Sequence, residues 1–443
     1  MSVAEREQVL GAFLEQEQER LARACHEMAR AYASGGTLVP FGTGAAATDA
    51  AHVAVEFMHP VIVGKRALPA LAPTNDPTDA STPALLLQPD DIALALAHGE
   101  PSVAVDDFLA TARERARLTL AFTGAGARAA ADFAFAVPSD DPDIVQEVQE
   151  TAYHVLWELV HVFFEHPALL EDACITCGDV AVEAEVVALH NGSAVIERDG
   201  AREEVAVELL DEVSVGDRVL CHAGVALERI GTGEPAQAAD AGEAAFLYPF
   251  LGSGEGDLDA VLADVRASTL QKGRDVVELR RAIDVGAVGR CAADVRARLE
   301  RGGRLVAFGN GGSSTDAQDA AADCLARGWP AICLTNDVAT VTAVGNDVGF
   351  ENVFARQLIP LAREADVALA ISTSGSSPNV VSGLEEAHRR HMLTVAITGY
   401  DGGRLAELDW LDHLFVVRSD YVPRLQEAHA TIYHLLLDEV GAR

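Results

Sequence analysis

Apolar residues fall into the same rhythm in both halves of the chain. In the first half, short and almost unbroken apolar runs occur at residues 38–41, 92–96 and 118–123; in the second, at 305–308, 367–371 and 394–397. Unbroken runs of this length, rather than alternating ones, mark strands covered on both faces, as in a parallel sheet. Longer stretches with helical periodicity separate them, beginning with residues 3–33, which end at Ser34-Gly35-Gly36. Between the halves the period drops to two. Residues 180–187, 194–197, 204–208 and 218–221 alternate, and Asn191-Gly192 and Asp199-Gly200 stand between runs as hairpin turns. The pattern predicts two α/β units flanking a small all-β barrel. Residues 231–256, rich in Gly, Ala and Glu, read as a linker.

Composition narrows the function. The 443 residues allow two or three domains, and 49% apolar content excludes a disordered chain. A net charge of -35, with a pI near 4.6, disfavours nucleic acid and anionic membranes and favours a basic protein partner. No signal peptide and no membrane-spanning run is expected, and seven largely dispersed cysteines fit a reducing cytoplasm. The exception is the pair Cys174-x-x-Cys177.

Two strand ends carry candidate chemistry. The run 305–308 leads into Gly309-Asn310-Gly311-Gly312-Ser313 and then an alanine-rich helix; the run 367–371 leads into Ser372-Thr373-Ser374-Gly375-Ser376-Ser377 and another helix. Glycines let the backbone approach a phosphate, hydroxyls supply donors, and free N–H groups at a helix start attract an anion. The first half echoes these landmarks. Gly42-Thr43-Gly44-Ala45-Ala46 matches the first loop, Ala97-His98-Gly99 stands at the second, and Gln146-Glu147 to His154 parallels Gln426-Glu427 to His434. This reads as an internal repeat.

Residues 256–443 resemble the sugar isomerase (SIS) family, and within it the sedoheptulose-7-phosphate isomerases. The likeness is carried by Gly-Asn-Gly-Gly-Ser, Val344-Gly345-Asn346-Asp347, Ile371-Ser-Thr-Ser-Gly375, Thr398-Gly399 and Gln426-Glu427. It implies two SIS domains, 1–168 and 256–443, each a five-stranded parallel sheet in a three-layer α/β/α arrangement. The segment 169–232 is similar to HypC/HupF chaperones of nickel–iron hydrogenase assembly, through Cys174-Ile-Thr-Cys-Gly-Asp179 and Val215-Gly216-Asp217-Arg218-Val219-Leu220-Cys221-His222. That likeness implies an OB-like fold and an iron-carrying cysteine, for which Cys174 is the candidate.

The SIS resemblance also implies site roles. Phosphate would rest on Asn310, Gly311, Gly312, Ser313, Ser372, Thr373, Ser374 and Ser377, with Asn346 and Asp347 facing the sugar and Gln426 and His434 bordering it. The family's divalent metal, usually zinc, takes a His and a Glu one helical turn apart, so both share a helix face, with a Gln and a His from the last helix. In the first half these positions are His52, Glu56, Gln146 and His154; in the second they are Asp319, Asp323, Gln426 and His434. Glu56, His154, Asp323 and His434 are the candidates for moving protons. One half keeps the phosphate groups and the other the metal groups. Either they build one composite site, or each keeps a task, or both are relics.

Three roles are open from sequence. The first is a phosphosugar-binding protein acting in hydrogenase maturation, with maturation proteins or the hydrogenase large subunit as partners. The second is an active phosphoheptose isomerase; the third is an iron-cargo scaffold. A homo-oligomer is expected in each case.

Overall fold

A computed structural model describes the chain apart from residues 1, 61–64, 74–80, 171–181, 191–192, 199–200, 208–209, 211–212, 223–224 and 231–257. The upstream half runs α1 (Val3–Ala33), β1 (Leu38–Gly42), α2 (Ala46–Met58), α3 (Ser81–Leu86), β2 (Ile92–Leu96), α4 (Val103–Arg115), β3 (Leu118–Thr123), β4 (Phe133–Ala136) and α5 (Pro142–Phe164). Its strands are parallel in the order β1-β2-β3-β4. β1, β2 and β3 are buried along their whole length, as unbroken apolar runs require.

The middle strands are β5 (Val182–His190), β6 (Ser193–Arg198), β7 (Ala201–Ala206), β8 (Arg218–His222) and β9 (Val225–Arg229). They close into a barrel around Val186, Ile196, Val205 and Val219. The pairings are antiparallel except for a parallel contact between Ala206 of β7 and Val225 of β9, so the sheet is mixed.

The downstream half runs α6 (Leu258–Arg281), α7 (Val285–Glu300), β10 (Leu305–Gly309), α8 (Gly312–Ala326), β11 (Ala331–Cys333), α9 (Val338–Asp347), α10 (Val353–Leu361), β12 (Val367–Ser372), α11 (Pro378–Arg389), β13 (Leu393–Thr398), β14 (His413–Val416) and α12 (Val422–Val440). Its parallel sheet has the order β11-β10-β12-β13-β14. The two sheets correspond strand for strand, with one correction to the expected five-stranded pair. Opposite β11, the upstream half has an isolated bridge from Leu38 to Ala70 and no named strand among the described residues.

The halves pack through α2 against α8 and α5 against α12. Helix α6 lies along α1 and buries Val261, Leu262, Val265 and Val276 in the upstream core. Helix α5 is buried from Asp143 to Phe164 on every face. A helix covered all round must satisfy its polar groups internally, and α5 meets several of them against α12, though Glu150 Oε1 and His154 Nε2 stay without a partner. Glu147 accepts from Thr431 and His434, His154 meets Glu427, and Glu158 meets Arg424. These pairs run in opposite directions along the two helices, so α5 and α12 are antiparallel.

Candidate functional site

Strands β10 and β12 are neighbours, with Gly309 opposite Ile371, so the loops that leave them lie side by side. Asn310 and Asn379 tie the loops together by reciprocal amide bonds of 2.9 and 2.8 Å. Gly311 takes φ +55°, a conformation that favours glycine. Helix α8 then starts at Gly312 with no side-chain cap, and α11 starts after Ser377, also without one. Both helix starts therefore keep backbone N–H groups available to an anion. Ser372 and Ser377 approach to 3.5 Å, and Ser374 accepts from the Ser376 N–H at 3.2 Å. The structure thus brings the two loops of the predicted cradle side by side.

The upstream half supplies the other pole. His52 and Glu56 stand one turn apart on α2, both buried. Donor atoms of His52, Glu56 and His154 lie within 4.8 Å of one another. The fourth member comes from the opposite half: the Gln426 amide nitrogen is 3.2 Å from His52 Nε2 and 3.3 Å from Glu56 Oε1. Glu56 Oε2, His154 Nε2 and Gln426 Oε1 are buried without a hydrogen-bond partner. Each such orphan costs about 1–3 kcal/mol, so their convergence fits a bound cation. A half-turn of the Gln426 carboxamide presents Oε1 where Nε2 now lies. Nitrogen and oxygen donors of this kind suit zinc. Burial alone would depress the His52 imidazolium, but the Glu56 hydrogen bond and the Asp316 charge outweigh it and raise its pKa.

Cradle and metal pole meet at Gly312. A Cβ placed on Gly312 would overlap Gln426 Nε2 and lie 2.9 Å from His52 Nε2. The glycine loop of the downstream half therefore abuts the His52–Glu56–His154–Gln426 cluster.

The mirrored pocket is built from the leftovers. Asp323 and His434 of the downstream half meet Asp143 and Gln146 of the upstream half: His434 Nε2 is 3.3 Å from Asp323 and 3.0 Å from Gln146 Oε1. The Gln146 amide and the Thr48 hydroxyl both donate to Asp319. Arg327 ion-pairs with Asp143, and lies 3.5 Å from Asp323 and 3.1 Å from Asp438. At the cradle end, Ala45 stands where Gly312 stands opposite, and His98 bonds Asp49 at 2.6 Å. Burial pushes the His434 pKa down, but hydrogen bonds to Asp323 and Glu147 outweigh it and lift it to about 10. Burial, then neighbouring acids, keep Asp319 protonated well above its usual range.

Each last-helix histidine is held by a glutamate of the other half: His154 Nδ1 by Glu427 and His434 Nδ1 by Glu147, both at 2.9 Å. A carboxylate on one ring nitrogen fixes the tautomer and aims the other nitrogen. Burial opposes the Glu147 charge, yet Arg6 and Arg280 outweigh it and hold its pKa down at about 2.

Most predicted residues converge, with corrections. Gln146 does not join His52, Glu56 and His154; the two glutamines are exchanged between halves, because antiparallel α5 and α12 place each one beside the other helix's histidine. Asn346 and Asp347 lie exposed at the end of α9, bonded to each other at 2.7 Å, and none of their hydrogen bonds reaches the cradle. Cys174 lies outside the described residues. Sequence reading passed over Glu427, Arg327, Asp316 and Glu150. Aligning the two last helices marks Glu150 as the odd member, since its counterpart is Ala430.

Two parallel sheets, a pair of hydroxyl-rich loops at the ends of β10 and β12, and a buried His–Glu–His–Gln cluster beside them define an α/β protein with donors for an anion next to donors for a cation. A model of the SIS domain matches residues 3–100 and 276–399, half of the sequence. The chain belongs to the SIS-domain family. The HupF/HypC family model matches residues 180–241. Phosphoheptose isomerase of Laribacter hongkongensis is 41% identical over 162 residues, 35% of this chain and 83% of that protein. Phosphoheptose isomerase of Geobacter sulfurreducens is 40% identical over 192 residues, 42% of this chain and 98% of that protein. The C-terminal domain of glucosamine-fructose-6-phosphate aminotransferase from Francisella tularensis shares the fold at 8% identity. Its TM-score is 0.54, over 99% of this chain and 93% of that one.

Proposed function

We propose that this protein is a ketose–aldose isomerase of sugar phosphates, working at one composite pocket per chain. The observation that carries the reading is the abutment at Gly312, which joins a phosphate cradle from one half to a metal-ligand cluster from the other. The phosphate binds the N–H groups at the starts of α8 and α11 and the hydroxyls of Ser313, Ser372, Thr373, Ser374 and Ser377. His52, Glu56, His154 and Gln426 would hold zinc, which when bound polarises the sugar's carbonyl and hydroxyl oxygens. Glu56 takes the proton from the carbon beside the carbonyl and returns it to the neighbouring carbon, and the unpartnered Nε2 of His154 would carry the proton exchanged between the two oxygens. The likeness to phosphoheptose isomerases makes sedoheptulose 7-phosphate the first substrate to try.

Purified protein supplied with zinc and sedoheptulose 7-phosphate should form the aldose heptose phosphate, followed by NMR, and His52→Ala should abolish it. Zinc-loaded wild type without turnover would defeat the isomerase reading.

The match of residues 180–241 to the HupF/HypC family favours a second role for the barrel, as an OB-like module in nickel–iron hydrogenase maturation; Cys174, just ahead of the matched residues, is the candidate to carry iron. Recovery of hydrogenase maturation proteins and iron with the full chain, and their loss in Cys174→Ala, tests it; unchanged recovery counts against it.

A further inference from the structure

Behind His52, on the side away from the phosphosugar pocket, lies a second group of donors. We propose that Glu150, Asp316 and Nδ1 of His52 form a second cation site, for a divalent transition metal, at the seam between the two halves. Donor atoms of these three residues lie within 4.8 Å of one another, and all three side chains are buried. His52 Nδ1 is 3.9 Å from Asp316 Oδ1, while its Nε2 faces Glu56 and Gln426. The imidazole therefore stands between two places, one nitrogen toward each.

What asks for a cation is the pair of unused oxygens. Glu150 Oε1 and Asp316 Oδ2 are buried and accept no hydrogen bond, although both residues are only 2% exposed. The surrounding acids have partners of their own, although Glu427 Oε2 is left without a hydrogen bond. Asp49 has His98 at 2.6 Å and Tyr153 at 3.4 Å, Asp319 has Thr48 and Gln146, and Glu427 has His154 at 2.9 Å and Arg424 at 2.6 Å. Arg280, whose charge reaches Glu150, ion-pairs with Glu147 at 3.3 Å and makes no hydrogen bond to Glu150 or Asp316. Two carboxylates held together in a dry seam, faced only by the His52 ring and the more distant Arg280 charge, are costly. Two carboxylates and an imidazole match Mn²⁺, Fe²⁺ or Zn²⁺. Filling both places takes the last ring proton of His52, which leaves to solvent.

The site is one-sided. In the register that pairs Gln146 with Gln426 and His154 with His434, Glu150 faces Ala430, which has no donor. Nothing in the isomerase chemistry uses Glu150, so the site stands apart from that reading.

The test is ion stoichiometry on the full chain, stripped of metal and then dialysed against Mn²⁺ or Zn²⁺. Wild type should saturate at two ions per chain. Glu150→Ala and the isosteric Glu150→Gln should each saturate at one, as should His154→Ala, which touches only the phosphosugar pocket, and Glu150→Gln with His154→Ala at none. Saturation of wild type at one ion, or of Glu150→Gln at two, overturns the proposal: the first means that the two acids stay neutral and share protons instead. Two ions bound without sugar turnover would fault the isomerase reading and leave this one intact.

Discussion

The upstream and downstream pockets are assembled from the same positions and have reached opposite solutions. In one, Gly312 leaves room for Gln426 and His52, and three buried polar atoms are left without partners. In the other, Ala45 occupies the matching place, Gln146 and Thr48 bond Asp319, and Arg327 and an imidazolium at His434 stand against the acids, leaving Asp323 Oδ2 ion-paired though without a hydrogen bond. The difference teaches that a binding site is recognised by what it leaves unsatisfied. A pocket whose charges close on one another has become an interface between halves, whatever its ancestry.

The largest expected effect breaks this contrast at its hinge. Gly312→Ala puts a methyl group against the Gln426 amide and His52. Displacement of a ligand by about 1 Å costs on the order of 100-fold in rate, so turnover should fall by about that factor and zinc retention should drop with it. Ala45→Gly in the mirrored pocket should change neither. Equal losses in the two variants, read by kinetics and metal analysis, would erase the distinction.

Next in size is the glutamate behind the histidine. Glu427→Gln removes the carboxylate from His154 Nδ1 while keeping a hydrogen-bonding group. Partners of this kind are typically worth about 10–100-fold in metal affinity, and zinc competition with a chelator dye should show a loss in that range. Glu147→Gln, the matching change, should leave zinc affinity alone and lower stability instead, because it strands Arg6 and Arg280.

The fold was legible because burial on both faces leaves an unbroken apolar run, and both sheets stand where such runs fall. The cradle was legible because glycines and hydroxyls at a strand end have few other uses. The exchange of Gln146 and Gln426 was not, since sequence spacing fixes neighbours on one helix and says nothing of which helix it meets. Glu150 and Asp316 were hidden for a related reason: a carboxylate on a helical face looks solvated until a partner helix covers it. Asn346 and Asp347 show the reverse, a familiar motif that α9 carries out to the surface.

A smaller effect distinguishes the pockets by pH. His434 titrates at about 10 in the fold, against about 6.5 for a free histidine. A raised value means that its contribution is complete below about 6.5 and is lost as pH climbs toward 10. The urea midpoint should therefore decline across that window, and His434→Gln should flatten the decline. A metal ion in the downstream pocket would require neutral His434 and would remove this dependence.

The smallest expected effect belongs to Asp323→Asn, and it sharpens the comparison most cheaply. Asp323 occupies the position that Glu56 fills upstream, so a metal-binding downstream pocket would lose its ion with this change. In the structure, Asp323 instead faces His434 at 3.3 Å and Arg327 at 3.5 Å, both of which carry positive charge. Asparagine keeps the size and one acceptor oxygen, so metal content and turnover should stay within about two-fold of wild type. Glu56→Gln, the matching upstream change, should cost both. If Asp323→Asn sheds metal as Glu56→Gln does, the downstream pocket is a second working site and its closure by Arg327 counts for nothing.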